Sequence, residues 1–430
     1  MKSRNIFWVV VGTAFCVRAL LLLLIGSNSA YAFTSDSSGY TIPAQNLRQH
    51  GTFATLAKGR LIPENYRTPG YPVYLLAFIS RDGRLRYRAV QWSQAILNAM
   101  SAGLIYLAAL TYWQDRRAAL AAGMGFALDF VNAIHCIFVL TDILFVFMMA
   151  CVLYCLINHR EYWAGLICAG AAFVRPIGLY YPFFLAPLLY LMWVKRKEQF
   201  PVRKLTIFLA ISTLPMLAWM GRNAYSGGGW TFSSLTEANL TVRAALVKME
   251  MNQIPYDDAM EAIQKESRES MGAHSAGQWD TQYLLIHWKD LLKIMLKGTV
   301  KFLSGNSVKV AAWTILKDNY YDPATLPTYS PLSPMAQARE LARRHRSLGI
   351  GLALYLIFLG FTYLLFLMGF WAAGKQTGWQ TALVLGSSIL YFTLLTIGVD
   401  AQARYRLPIM PALFLFAGGG LKTLWPTEDV

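Results

Sequence analysis

The chain alternates long apolar runs with short basic loops, and this alternation constrains its fold more than any other feature. The first run, Ile6 to Ile25, has about 20 residues, enough to cross the hydrocarbon core of a bilayer as an α-helix. Of all residues, 56% are hydrophobic and only 14% are charged, whereas soluble proteins carry about 25% charged residues. We therefore expect an all-α polytopic membrane protein.

Hydropathy predicts about ten transmembrane helices. They lie near residues 6–26, 90–111, 118–139, 143–158, 162–175, 179–194, 205–221, 349–371, 379–398 and 407–424. The first could be a signal peptide cleaved after Ala30-Tyr31-Ala32, but its length favours a retained helix. We expect an N-terminal transmembrane catalytic module (1–221, with a long first extracytoplasmic loop at about 27–89), a small extracytoplasmic domain (222–348) and C-terminal transmembrane helices (349–430).

The lysines and arginines of the short loops predict the orientation, because such residues concentrate on the cytoplasmic side. Most of them share one face if both termini are cytoplasmic. This set comprises Lys2, Arg4, Arg116, Arg117, Arg160, Lys195, Arg196, Lys197, Arg203, Lys204, Lys375 and Lys422. Four arginines disagree and fall on the opposite face, namely Arg81, Arg84, Arg86 and Arg88.

The net charge of +16 points to acidic partners. Nucleic acid fits poorly, because the basic residues lie in loops between apolar runs, and phosphate-bearing membrane lipids fit better. One segment pairs a basic stripe with an apolar stripe on the same helix. Its residues are Lys289, Lys293, Lys297 and Lys301, with Leu292, Met295, Leu296, Val300 and Leu303. Such a helix suits an anionic membrane surface, although a solvated face of the small domain would give the same pattern.

Three acidic residues are candidates for chemistry. Asp36 directly follows the first span and could act as a general base, or it could cap a helix that ends at Gly51. Asp142 opens the fourth span at the same membrane surface, where it too could be a cap. Asp129 lies inside an apolar run, so it is either a substrate contact or part of a buried polar cluster with Asn132.

Arginines at the outer ends of the spans are candidates for binding a phosphate. Arg175, Arg222, Arg404 and Arg406 all fall on one face, and guanidinium groups match phosphate oxygens. Snorkelling to the interface explains any one of them, but four on one face favour an anion site. The turn Arg67-Thr68-Pro69-Gly70-Tyr71-Pro72 is interpreted as structural, except that Arg67 could point at the lipid phosphate.

Several short motifs resemble those of GT-C fold membrane glycosyltransferases, in the branch of protein O-mannosyltransferases and the lipid A aminoarabinose transferase. They occur in family order across nearly the whole chain. They are Asp36-Ser37-Ser38-Gly39-Tyr40, Ala44 to Leu47 with Gly51, Arg67 to Pro72, Leu140-Thr141-Asp142 with Leu144-Phe145, Arg175-Pro176, Arg222-Asn223 and Arg404-Tyr405-Arg406-Leu407-Pro408. The resemblance implies a GT-C bundle, a polyprenyl-phosphate sugar donor and inversion at the anomeric carbon.

The resemblance also assigns roles. It implies that Asp36 is the catalytic base, that Asp142 is a second acidic residue near the acceptor, and that Arg404 and Arg406 lie beside the donor. Many relatives carry Asp-Glu where this chain has Asp36-Ser37. Further expected cavity residues are Tyr40, Tyr71, Asp129 and Tyr405.

The same resemblance implies partners and a location. The sugar arrives on a lipid, so no cofactor is expected, and no metal-binding cluster is seen in the sequence. The expected partners are a polyprenyl-phosphate sugar, a lipid, glycan or protein acceptor, and membrane lipids. The branch suggests a bacterial inner membrane, with the active site outside and acceptor contacts from the 222–348 segment.

Three other classes of protein share some of these features. A transporter or lipid flippase would suit many spans and an intramembrane Asp129, but the polar residues cluster at one surface and no paired interrupted helices are evident. A polymerase or ligase of lipid-linked glycans shares these features, and the Asp36 loop and the Arg67 turn favour the transferase over it. A non-enzymatic scaffold would not need acids and arginines on one face.

Overall fold

The structure is a computed structural model that describes residues 3–270, 276–305, 307–321, 334–397 and 402–425. The first half contains α1 (Ser3–Ile25), α2 (Ser38–His50), β1 (Ala54–Ala57), β2 (Arg60–Pro63), α3 (Gly70–Leu75), α4 (Tyr87–Trp113), α5 (Arg116–Leu128), α6 (Phe130–Ile134), α7 (Asp142–Ile157), α8 (Glu161–Val174), α9 (Tyr181–Lys195) and α10 (Pro201–Tyr225). The second half contains α11 (Leu235–Asn252), α12 (Tyr256–Ser270), α13 (Ala276–Ile286), α14 (Trp288–Ser304), α15 (Val308–Thr314), α16 (Pro334–Arg344), α17 (Arg346–Thr377), α18 (Trp379–Thr396) and α19 (Met410–Leu424). Apart from the β1–β2 hairpin, the described chain is helical, which confirms the predicted class.

Fewer helices qualify as membrane spans than the sequence suggests. Among the described residues, seven helices are long and apolar enough to cross a bilayer, and eight if the bent pair α5–α6 counts as one span. The other two predicted spans correspond to α7 and α8, which are apolar but have only 16 and 14 residues. The count of about ten is therefore not confirmed.

Short connections join α4 to α5, α7 to α8, α8 to α9, α9 to α10, α17 to α18 and α18 to α19, so the two helices of each pair run antiparallel. This brings the C-terminal ends of α1, α8 and α18 to the same end of the bundle as the N-terminal ends of α4, α7 and α19. Arg88, one of the four arginines at this end, donates to the carbonyls of Leu22 (3.3 Å) and Gly26 (3.0 Å). It therefore caps the last turn of α1, which gives a structural reason for its position.

Helix α19 lies in the middle of the bundle and packs against α4, α5, α7, α17 and α18. Small residues allow this close packing. A Cβ atom on Gly419 would lie 2.0 Å from the ring of Trp113 in α4. The Trp113 indole N–H in turn donates to the Leu415 carbonyl at 2.9 Å.

A buried arginine stabilises the break between α5 and α6. These helices meet at an angle of 48°, so carbonyls near the end of α5 lose their helical partners. Arg18 of α1 is fully buried and donates to the carbonyls of Phe126 (3.3 Å) and Ala127, and to the Asn98 side chain at 2.9 Å. A buried charge is thus satisfied where the helix is interrupted.

The long segment before α17 divides into two parts. Helices α11 to α14 pack around a small core of their own, which includes Ala244, Val247 and Ile263. Helix α15 instead packs against the segment between α1 and α2, where Trp313 lies edge-on to Tyr31 with ring centroids 5.2 Å apart. The division into three domains predicted from the sequence stays a prediction.

Candidate active site

A cavity of about 330 Å³ lies at one end of the bundle. Its lining comes from α2, α7, α11 and α18, from the segments before α2, α3, α7 and α19, and from the segment after α8. Its wall combines apolar and tyrosyl side chains with six charged residues. These are Asp36, Asp142, Arg67, Arg175, Arg243 and Arg404. Four arginines and two aspartates leave the charged lining with a net charge of +2, so the cavity is suited to an anionic ligand.

Asp36 is held between two arginines from distant parts of the chain. Arg67 Nη2 donates to Asp36 Oδ1 at 2.9 Å, and Arg404 Nη2 donates to Oδ2 at 3.1 Å. The side chain of Asp36 remains 36% exposed to the cavity. Asp36 does not cap a helix here. Its carboxylate bonds to two guanidinium groups, and the N-cap residue of α2 is Ser37.

Local structure brings Arg67 to this position. Helix α2 follows Asp36 and ends at Gly51, which adopts the left-handed conformation with φ 67°. The turn before α3 then packs directly on the end of α8, where a Cβ atom on Gly70 would lie 2.6 Å from the Phe173 carbonyl. Only glycine permits this approach, and it places Arg67 beside both Asp36 and Tyr40.

The electrostatic surroundings keep Asp36 ionised. Partial burial by itself would raise the pKa of the Asp36 carboxyl, but the charges of Arg404 and Arg67 outweigh it, so the pKa is lowered from its ordinary value. Asp36 is therefore a carboxylate at neutral pH. Each carboxylate oxygen can accept more than one hydrogen bond, so lone pairs remain for a ligand.

Asp142 is the first residue of α7 and forms an ion pair with Arg175, which follows the last residue of α8. Its side chain is only 3% exposed, against 36% for Asp36. The two carboxylates that the sequence places at one surface do line one cavity, but only Asp36 presents its carboxylate to the open space.

Arg243 is a cavity residue that the sequence analysis did not select. It lies in α11 and donates through Nη2 to the Leu395 carbonyl at 2.6 Å, whereas its buried Nε has no partner. In the described part of the chain, no carboxylate pairs with it, unlike Arg67, Arg175 and Arg404. The available signal was a single arginine within the apolar stretch from Leu240 to Val247.

Two arginines expected at the donor phosphate lie outside the cavity lining. Arg222 donates to the carbonyls of Phe53 (2.9 Å) and Glu64 (2.8 Å) and so fastens the β1–β2 region to α10. Arg406 is fully buried and donates to the carbonyls of Phe302 (3.0 Å), Leu303 (2.7 Å) and Gly305 (2.7 Å). It caps the C-terminal end of α14.

The four further cavity candidates also separate into two groups. Tyr40 and Tyr405 line the cavity. Tyr71 is buried and donates to Gln94 at 2.9 Å, and Asp129 is buried and accepts from Asn132 Nδ2 (2.6 Å) and Tyr355 (2.8 Å). Their partners place Tyr71 and Asp129 in the core of the bundle, as the buried-cluster alternative for Asp129 describes.

The described residues contain no group of three or more histidine, cysteine, aspartate or glutamate side chains arranged to hold a metal ion. The expectation that the protein uses neither a metal nor another cofactor stays a prediction.

This chain is similar to known proteins in part of its sequence and in its fold. Residues 80–219 match the family model described as dolichyl-phosphate-mannose-protein mannosyltransferase. The solved structure of the archaeal oligosaccharyltransferase AglB from Archaeoglobus fulgidus, in complex with an inhibitory peptide and a dolichol-phosphate, superposes with a TM-score of 0.52 at 11% identity. The match covers 99% of this chain but 52% of AglB, so this chain spans about half the length of that protein.

A second comparison gives a weaker likeness. ArnT from Cupriavidus metallidurans, bound to undecaprenyl phosphate, has a TM-score of 0.40 at 13% identity, covering 89% of this chain and 77% of ArnT. The search of curated proteins finds no match. The chain therefore has the GT-C fold of AglB, and about a third of it matches the mannosyltransferase family model.

Proposed function

We propose that this protein transfers a sugar from a polyprenyl-phosphate donor to a hydroxyl group of a lipid, glycan or protein acceptor, with inversion at the anomeric carbon. The dolichol-phosphate and undecaprenyl phosphate bound by AglB and ArnT suggest the class of carrier. The reaction would take place on the extracytoplasmic face, where no nucleotide-activated sugar is available, and a bacterial inner membrane is the proposed location.

One observation carries the proposal. The carboxylate of Asp36 is 36% exposed and faces a cavity in which arginines outnumber aspartates. An acceptor hydroxyl in the cavity can donate to the free lone pairs of Asp36. A general base positioned in this way contributes roughly 10²- to 10⁴-fold to the rate of such a reaction.

The proposed step is a single displacement. The acceptor oxygen bonds to the anomeric carbon while the bond between that carbon and the phosphate oxygen breaks. The acceptor proton moves to Asp36, and both electrons of the broken bond leave with the lipid phosphate. The lowered pKa makes Asp36 a weak base, so the proton transfer is favourable only once the new bond has made the hydroxyl more acidic.

The arginines would receive the phosphate. Arg67, Arg175 and Arg404 are each paired with an aspartate, whereas Arg243 has no such partner in the described part of the chain. Arg243 is thus the guanidinium whose charge is best available to the donor. The excess charge of the cavity also complements the second negative charge that the phosphate gains when the sugar leaves. Asp142 would hold Arg175 in place rather than accept the proton.

The decisive experiment compares the wild type with Asp36→Asn, both reconstituted in vesicles with labelled polyprenyl-phosphate sugars and a cell-envelope extract as acceptor. Transfer and donor binding are measured separately. We expect Asp36→Asn to bind the donor but to transfer about 10²-fold or more slowly. Asp82→Asn makes the same change at an exposed loop aspartate paired with Arg84 and should leave transfer unchanged.

Two outcomes would contradict the proposal. Unchanged transfer by Asp36→Asn would exclude Asp36 as the base. A wild type that binds the lipid donors, moves them across the bilayer and transfers no sugar would favour a flippase. Transfer of whole lipid-linked glycans, with no transfer of single sugars, would instead favour a glycan polymerase or ligase.

A further inference from the structure

Helix α14 carries three different faces along its length. Its inner face includes the buried Gly298 and Phe302, and its neighbours Leu291 and Ile294 pack on the core of α11 to α13. The other two faces are exposed. Since side chains four residues apart lie almost above one another on a helix, each of these faces forms a continuous stripe.

One exposed stripe of α14 is apolar. Leu292 is 47% exposed, Leu296 63% and Val300 62%, and Trp288 at the start of the helix is 54% exposed. The last residues of the preceding helix α13, Leu285 and Ile286, are also exposed. The stripe lies beside the inner face and has no partner among the described residues.

The second exposed stripe is basic and lies next to the apolar one. It consists of Lys289, Lys293, Lys297 and Lys301, all exposed. Glu250 of α11 pairs with Lys293 at 3.0 Å and with Lys297 at 2.5 Å. No ion pair is found for Lys289 or Lys301 in the described residues, so part of the positive charge faces outward uncompensated.

The position of α14 follows from how its C-terminal end is held. Arg406 bonds to three carbonyls there, and Tyr363 of α17 donates to the Leu303 carbonyl at 2.9 Å. Arg406 itself lies near the N-terminal end of the membrane-crossing stretch Ala403–Leu424. One end of α14 is therefore fixed beside the N-terminal end of this candidate membrane span.

We infer that α14 is an interfacial helix: its apolar stripe enters the lipid layer around the bundle, and its lysine stripe contacts anionic head groups. A protein partner would not require adjacent apolar and basic stripes, whereas a membrane surface presents apolar chains directly beneath negative charge. The inference does not rest on the proposed transferase activity, and its test requires no turnover.

The test measures the depth of spin labels on the full chain. Leu296→Cys and Lys301→Cys are each made in a Cys16→Ser background, because Cys16 is the exposed native cysteine and the other four are buried or partly buried. These two positions differ by about 140° around the helix. Labelled proteins are reconstituted in phosphatidylcholine vesicles with and without phosphatidylglycerol. The electron spin relaxation of each label is then measured in the presence of oxygen, which concentrates in lipid, and in the presence of a water-soluble nickel chelate. Faster relaxation shows that the label collides with the reagent.

With phosphatidylglycerol, we expect the label at position 296 to collide more with oxygen and the label at 301 more with nickel. Lys289→Gln combined with Lys301→Gln should make the position 296 label shallower in these vesicles and leave its depth unchanged in pure phosphatidylcholine.

Three results would overturn the inference. Equal nickel access at both positions would place the stripe in water. Protection of position 296 from both reagents would mean that a second copy or another protein covers it. The same label depth with and without phosphatidylglycerol would exclude the role of anionic head groups.

Discussion

The Asp36 carboxylate accepts hydrogen bonds from two arginines that are far apart in sequence, Arg67 and Arg404. Neither its charge nor its exposure could be inferred from the local sequence, in which Asp36 is surrounded by serines. The pairing keeps the group ionised, and the cavity leaves it accessible. Both properties are needed by a base that must be deprotonated before the reaction and must reach a hydroxyl.

The lowered pKa of Asp36 predicts how activity depends on pH. The proposed base works only when ionised, so activity should be retained well into the acid range and lost as pH falls through this lowered pKa. Arg67→Gln removes one of the stabilising charges and should raise the pKa of Asp36. The acid limb of the pH–rate profile should therefore move to higher pH.

The matched control for this profile is Arg48→Gln, at an exposed position in the last turn of α2. Its acid limb should coincide with that of the wild type. An acid limb that stays in place in Arg67→Gln would show that the limb reports the ionisation of another group.

Arg243 gives a second prediction at this scale. A hydrogen bond to a charged group contributes about 1.5–3 kcal/mol, so Arg243→Gln should weaken donor binding by roughly 10- to 100-fold. Binding of polyprenyl phosphate to the reconstituted protein would measure this directly. Arg268→Gln, on the exposed end of α12, should bind as tightly as the wild type, and equal binding by Arg243→Gln would remove this residue from the phosphate site.

At the scale of elements, several arginines join helices rather than bind ligand. Arg18 satisfies the broken end of α5, Arg88 caps α1, Arg222 fastens the hairpin to α10, and Arg406 caps α14. Each donates to backbone carbonyls that a helix end or a loop leaves unpaired. The abundance of arginine near the cavity end of the bundle therefore serves the fold as well as the site.

Adding one methyl group where α19 crosses α4 should lower the stability of the protein. Gly419→Ala puts a Cβ atom 2.0 Å from the Trp113 ring, so the helices must separate or the ring must move. Overpacking of this kind costs about 1–3 kcal/mol. A lower thermal unfolding midpoint in detergent would show it. Gly12→Ala in α1 meets nothing within 4 Å and should leave the midpoint unchanged, and an unaffected Gly419→Ala would contradict the packing described here.

At the scale of the whole molecule, the cavity and the lysine-rich loops lie at opposite ends of the bundle. Orientation can be tested with one added cysteine in the Cys16→Ser background, placed either at Asp82 near the cavity end or at Lys197 in the loop after α9. In spheroplasts, an impermeant maleimide should label Asp82→Cys and spare Lys197→Cys. The reverse pattern would place the cavity in the cytoplasm and exclude the proposed donor.

The sequence by itself determined the structural class of this protein. Runs of apolar residues have few ways to satisfy their backbone in lipid other than as helices, so the helical membrane class and the approximate positions of the apolar helices could be predicted. Short connections then fixed which helix ends share a surface, and this was enough to bring Asp36, Asp142, Arg67, Arg175 and Arg404 to one end of the bundle.

Only the tertiary structure decided which side chains face the cavity. Arg404 and Arg406 are two residues apart, yet Arg404 contacts Asp36 and Arg406 points into the end of α14. Direction depends on how each helix is rotated about its axis, which packing against neighbours sets and local sequence does not. For the same reason Arg222 was expected at the site and Arg243 was overlooked, since only the tertiary fold brings α11 to the cavity.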